Sequence, residues 1–169
     1  MRKRPSRAGF TLTEAMMVVA ILGILASVSA PLLLQMTNFW RTTTARNEIE
    51  RDVRISLETI NRYLRQAKSA TVVIDRYSTS TPPFSRITFT PEKGGTVSFY
   101  QDGSNLLMTL SSATIVTTTL SKRVGFLAFS YPSTFDPSIV SVAITMQAPT
   151  YLQRKKALQL SIQKVRIMN

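Results

Sequence analysis

Arg7-Ala8-Gly9-Phe10-Thr11-Leu12-Thr13-Glu14, followed by the run from Ala15 to Trp40, decides how this chain folds. The run holds 26 residues and none of them is charged. At 1.5 Å per residue it makes roughly 39 Å of helix, enough to cross a hydrocarbon core of about 30 Å. Upstream lie Arg2, Lys3, Arg4 and Arg7 with no acid among them. Positive charge on that side holds the N-terminus in the cytoplasm and sends the rest of the chain outside. Three fates fit such a segment: a secretory signal peptide, an uncleaved signal anchor, or a segment cut ahead of its apolar run. Val28-Ser29-Ala30 has the small residues of a signal-peptidase site, but Pro31 follows directly, where such peptidases tolerate proline poorly.

Glu14 is a carboxylate at the edge of an apolar run, where a charge is expensive and calls for a partner. It also completes Thr11-Leu12-Thr13-Glu14, a capping box that needs no function beyond starting a helix. Gly23 and Pro31 interrupt the run. In a helix interior glycine costs about 1 kcal/mol and proline about 3 relative to alanine, so residues 23–31, with Ser27 and Ser29 among them, are a weak stretch. An ordinary kinked membrane helix tolerates the same pair.

The octapeptide from Arg7 to Glu14 closely resembles the type IV prepilin signature. The resemblance implies a short basic leader, cleavage between Gly9 and Phe10 by a membrane aspartyl protease, and N-methylation of Phe10. A glycine before the cut admits the backbone to an intramembrane protease without a side-chain clash. The glutamate five residues after the cut corresponds to Glu14, and in pilins it pairs with the N-terminal amine of a neighbouring subunit. That amine is charged near neutral pH, and in a low-dielectric setting such a pair sets axial register. Gly23 and Pro31 match the family's helix breakers, between which the helix loosens in the filament.

Beyond the apolar run, Ile49, Val53, Leu57, Ile60, Leu64 and Ala67 recur at steps of three and four, the stripe of an amphipathic helix. Glu48, Glu50 and Asp52 read as a solvated face of that helix. One helix from about Thr11 to Lys68 is predicted, roughly 87 Å long, apolar all round in its first half and one-faced in its second. From Ala70 the period becomes two. Ile87–Thr90, Val97–Phe99, Val140–Met146 and Leu158–Ile162 alternate as half-buried antiparallel strands. Between Ile162 and Val165 the phase slips, which predicts a bulge or a change of face. Residues 91–95 and 102–105 read as turns, and Pro82-Pro83 and residues 132–137 as loops.

Asn61–Ala67 resembles the helix end of minor pilins, and Val97–Leu106 resembles their hairpin. Val124–Tyr131 and Val165–Asn169 resemble further strands, with Met168 where arginine is usual. Together these are similar to the J-type minor pseudopilins of type II secretion and the W-type minor pilins of type IV pili. The fold implied is α+β: one long N-terminal helix packed on an antiparallel β-sheet head. The divisions are a leader over 1–9, a transmembrane or filament-core half-helix over 10–40, an amphipathic half over 41–69 and a β-rich head over 70–169. The implied partners are prepilin peptidase, other pilin or pseudopilin subunits and, before assembly, the inner membrane. The head then lies outside the cytoplasm, in a pilus or a periplasmic pseudopilus.

Composition agrees with a structural role. The chain has no His and no Cys, which removes Ser–His and Cys–His catalysis, disulfides and thiolate metal sites. No enzyme activity and no cofactor are expected. The net charge is +12, and without the four leader residues the chain keeps 17 basic and 9 acidic side chains. Arg154, Lys155, Lys156, Lys164 and Arg166 form an acid-free basic tail, so a DNA-capturing pilus subunit is one alternative. A signal-anchored binding protein that never polymerises is the other.

Overall fold

The computed structural model describes residues 9–79, 85–133, 135–149 and 156–168. The chain divides into two compact units, Met1–Arg41 and Thr42–Asn169. The helix α1, Leu12–Leu64, belongs to both. It stops short of the expected Lys68 because residues 65–67 tighten into a turn, with Gln66 N–H donating to Tyr63 and Ala67 N–H to Leu64. Lys68 N–H then donates to Thr90, and Glu92 N–H donates to Gln66. These bonds, with an isolated bridge between Ala67 and Pro91, stitch the end of the helix to the first sheet.

That sheet holds β1 (Val73–Arg76), β2 (Ser85–Phe89), β3 (Thr96–Asp102), β4 (Asn105–Ser111) and β5 (Ile115–Ser121), in that order and all antiparallel. A second antiparallel sheet holds β6 (Val124–Ser130), β7 (Ile139–Pro149) and β8 (Lys156–Arg166). Short connections make each sheet a meander. Between β3 and β4 the turn is two residues, because Asp102 pairs with Asn105, and Gly103 takes the left-handed φ of 58° that such a turn needs. At Gly95, φ is 84° and an added Cβ would stand 3.0 Å from the Ser111 carbonyl oxygen, so glycine is required twice over.

The second half of α1 supplies one wall of the core. All six stripe residues from Ile49 to Ala67 are buried, together with Ile87, Phe89, Val97 and Phe99 of the first sheet and Leu127, Val140, Val142, Ile144 and Met146 of the second. Polar ties join the sheets where β6 lies against β2 and β3. Phe129 N–H donates to Ser85 Oγ at 3.0 Å, and the buried Gln101 Nε2 donates to the Val124 carbonyl of β6 at 3.5 Å as well as to Gly103 in its own hairpin. Tyr131 OH donates to the Val72 carbonyl at 3.1 Å, and its burial pushes the phenol pKa up.

Of the two readings of the phase slip in β8, the change of face holds: the register with β7 is continuous from Lys156 to Arg166, with no bulge. Leu160 and Ile162 point outward, each 63% exposed, whereas Val165 is buried, and Gln159, Ser161 and Gln163 take the inner face beside Glu50, Arg54 and Glu58 of the helix. One expectation needs correction: the acidic cluster is not wholly solvated. Arg123, just before β6, reaches Glu48 at 2.7 Å and Asp52 at 3.3 Å, so two of the three carboxylates fasten the helix to the head. Pro82-Pro83 lies outside the described residues.

Candidate functional site: the N-terminal segment

Gly9 and Phe10 are exposed and precede the helix. Thr11 is its N-cap. Glu14 N–H donates to Thr11 Oγ1 at 3.3 Å, and Thr11 N–H donates back to Glu14 Oε2 at 3.3 Å. Thr11 Oγ1 also donates to that oxygen at 3.3 Å. This is the reciprocal capping box: two amide donors that open the helix are satisfied by side chains. The box fixes the first helical residue at Leu12, so the Gly9–Phe10 peptide bond stays in non-helical backbone.

Above the box the helix is apolar on every side and exposed on every side. Val18, Ile21, Leu25, Val28 and Leu32 each present about half of their surface or more. Such a helix needs an apolar surround, either lipid or other helices. Its length and composition suit a membrane crossing. The hydroxyls in this stretch are satisfied internally. Ser27 Oγ donates to the Ile24 carbonyl, Ser29 Oγ to Leu25 and Thr37 Oγ1 to Leu33, at 2.7 to 2.8 Å. Back-bonding of this kind lets a hydroxyl sit in hydrocarbon and bends a helix slightly.

Helical assignment continues through Gly23 and Pro31. A Cβ added at Gly23 would meet nothing within 4 Å, so no contact within the chain demands glycine there. Pro31 lacks the N–H that would reach the Ser27 carbonyl, and Ser27 and Ser29 spend their hydroxyls on other carbonyls. The weak stretch between Gly23 and Pro31 therefore has a specific backbone acceptor left without its usual donor.

Of the basic tail, two side chains are described. Lys164 and Arg166 stand on the outer face of β8, paired across to Ser141 and Ile139. Arg166 also adds to the pull on Asp136, whose carboxyl is held below its ordinary range first by the Ser138 hydroxyl and N–H. Arg154, Lys155 and the side chain of Lys156 lie outside the described residues. Among the described residues no three His, Cys, Asp or Glu side chains gather as a metal site. The chain has no His and no Cys, so no Ser–His or Cys–His pair can form.

The family model for the prokaryotic N-terminal methylation motif matches residues 4–30. The match spans the basic stretch, the Gly9–Phe10 bond, the capping box and the first part of the apolar helix. No curated protein and no solved structure matches the chain. A prepilin-type N-terminal motif is therefore present on a chain whose long helix, apolar and then amphipathic, packs on an antiparallel β head. That combination supports a pilin-like structural subunit processed by a prepilin peptidase.

Proposed function

We propose that this chain is a minor pilin or pseudopilin, a structural subunit at or near the tip of a type IV pilus or type II secretion pseudopilus. The observation that carries the reading is local. The methylation motif matches over residues 4–30, and within it the scissile bond lies directly outside a formed capping box that opens an exposed apolar helix. A peptidase needs extended backbone at the cut, and a membrane needs helix after it. The box puts one beside the other.

In this reading residues 1–9 are the leader, 10–40 the membrane and filament-core half-helix, 41–69 its amphipathic half and 70–169 the head. Cleavage after Gly9 frees Phe10, which is then N-methylated. Before assembly the helix lies in the inner membrane with the head outside. Glu14 pairs with the Phe10 amine of the neighbouring subunit and sets register. The helix then passes from lipid to a bundle of helices without meeting water, so its apolar surface stays buried. Residues 23–31 loosen on the way. Short likenesses in Asn61–Ala67, Val97–Leu106 and the last strand favour the J and W types.

The test is intact mass and N-terminal sequencing after co-expression with a prepilin peptidase. The expected product starts at methylated Phe10, and replacing Gly9 abolishes it. An intact Met1 would leave a signal anchor; a start at Pro31 would mean a secreted head and would refute the filament reading.

A further inference from the structure

Strand β5 is built unlike the other edges of the head. Ile115-Val116-Thr117-Thr118-Thr119 is uncharged, contains no proline or glycine, and is β-branched at every position. It is the outermost strand of its sheet, and all five residues are exposed, with Ile115 at 71% and Val116 at 50%. Its side chains are thus bare on both faces, and one backbone edge has no partner strand among the described residues. Soluble proteins usually blunt such an edge with lysine, proline or brevity. Each of the other edges is short, charged or covered. β1 has four residues and carries Asp75 and Arg76, β8 carries Lys164 and Arg166 on its outer face, and the uncharged β6 lies against β2 and β3, with Phe129 N–H donating to Ser85 Oγ. A charge-free, β-branched edge is the sequence pattern of strand-to-strand association.

We propose that β5 pairs antiparallel with β5 of a second copy of this chain, about a two-fold axis at Thr117. The regular part of the strand fixes that register. Pairing with β4 runs evenly from Ile115 to Thr119, then shifts at Leu120, the extra residue between partners of Leu106 and Leu107. Thr117 is the midpoint of the even stretch. About that midpoint Ile115 faces Thr119 of the second copy, Val116 faces Thr118, and Thr117 faces itself. Valine and threonine have nearly the same shape, so the edge fits itself when reversed, and threonine pairs across strands are favourable. A self-matching patch is what a two-fold interface requires.

Charge selects the occupant. A chain that keeps 17 basic and 9 acidic side chains without its leader repels its own copies wherever like charges meet, as two β8 edges would. β5 itself carries no charge: Lys122 and Arg123 lie beyond the shift in register, Lys93 stands beside Val116 at the other end, and Arg123 is already neutralised by Glu48 and Asp52. An acidic partner strand would gain more at β8. A five-residue edge is small beside the roughly 1,200 Å² of a stable interface. The pairing therefore rests on the membrane anchoring proposed above, which concentrates the copies.

The absence of native cysteine makes the test clean. Full-length single-cysteine variants, Ile115→Cys, Thr117→Cys and Thr119→Cys, are oxidised in membranes, with Thr88→Cys in the sheet interior as background. Thr117→Cys should give the strongest disulfide dimer, because only opposed residues bring Cβ atoms within bonding range. Ile115→Cys should link to co-expressed Thr119→Cys better than to itself. Adding Thr118→Lys should reduce the Thr117→Cys dimer to background, with the circular dichroism spectrum unchanged. Equal self-linking at all three positions would mean parallel pairing, and linkage only to other proteins would mean another partner; either overturns the proposal. A chain in the membrane pellet with no Thr117→Cys dimer overturns the pairing and leaves the anchor standing. A soluble chain overturns both.

Discussion

At Glu14 a single carboxylate closes the capping box and carries the charge that a register-setting pair requires. Glutamine keeps the hydrogen-bonding shape of the box and removes the charge. Glu14→Gln should therefore leave amide exchange at residues 12–15 as in the parent chain, while incorporation beside other subunits falls sharply. Thr11→Ala should do the reverse, loosening the first turn by about 1 kcal/mol with the charge retained. If both variants assemble normally, Glu14 is only a cap. A second carboxylate reports on the head. Asp75 lies opposite Arg86 across β1 and β2, and Arg86 Nε donates to its Oδ1 at 2.8 Å. The guanidinium hydrogen bond holds the Asp75 carboxyl below its ordinary range. A lowered folded-state pKa gives stability that is present above the unfolded value of about 3.9 and lost as pH falls through the folded one. Both side chains are more than a third exposed, so the pair contributes at most about 1 kcal/mol. Melting curves should show Asp75→Asn less stable at neutral pH, with the gap closing under acid.

Helix α1 shows what an element's sequence can and cannot reveal. Its stripe was legible because every residue from Ile49 to Leu64 at a step of three or four is buried. Ser56 breaks that pattern: it is fully buried, and its hydroxyl has no hydrogen-bond partner among the described residues. A buried unsatisfied hydroxyl costs about 1–3 kcal/mol, and alanine is also the better helix former. Ser56→Ala should raise the melting temperature by a few degrees, and a fall would show that the hydroxyl is bonded. The strands were legible where one face is apolar, as in β3 and β7, and the turn at Asp102–Asn105 was read from its glycine. In β8 alternation names two faces without saying which is inside: Leu160 and Ile162 are outside, and only from Val165 does the apolar side turn inward. β5 gave no alternation to read, since both its faces are exposed. The contact of Arg123 with Glu48 and Asp52 spans some 70 positions in sequence, beyond the reach of any local pattern. At the N-terminus the opposite holds: the capping box spans four residues, so sequence alone located it.

Over the whole molecule, the two units differ in how their apolar surface is satisfied. The buried core begins at Ile49 and draws on α1 and both sheets. In the first unit the described apolar side chains are exposed, Phe10 and Leu12 among them. Stability of the isolated chain must therefore reside in the second unit, and the first contributes only through lipid or neighbouring subunits. A chain reduced to residues 42–169 keeps the stripe, every ladder of both sheets and the ties of Arg123, Gln101 and Tyr131. It should unfold in one cooperative transition, within about 5 °C of the full chain in detergent, because it loses no core residue. Since its remaining surface is rich in lysine and arginine, it should also stay in solution without detergent. Failure to fold would mean that residues before Thr42 supply contacts the head needs, and the helix would then be part of the head's core rather than a separable anchor.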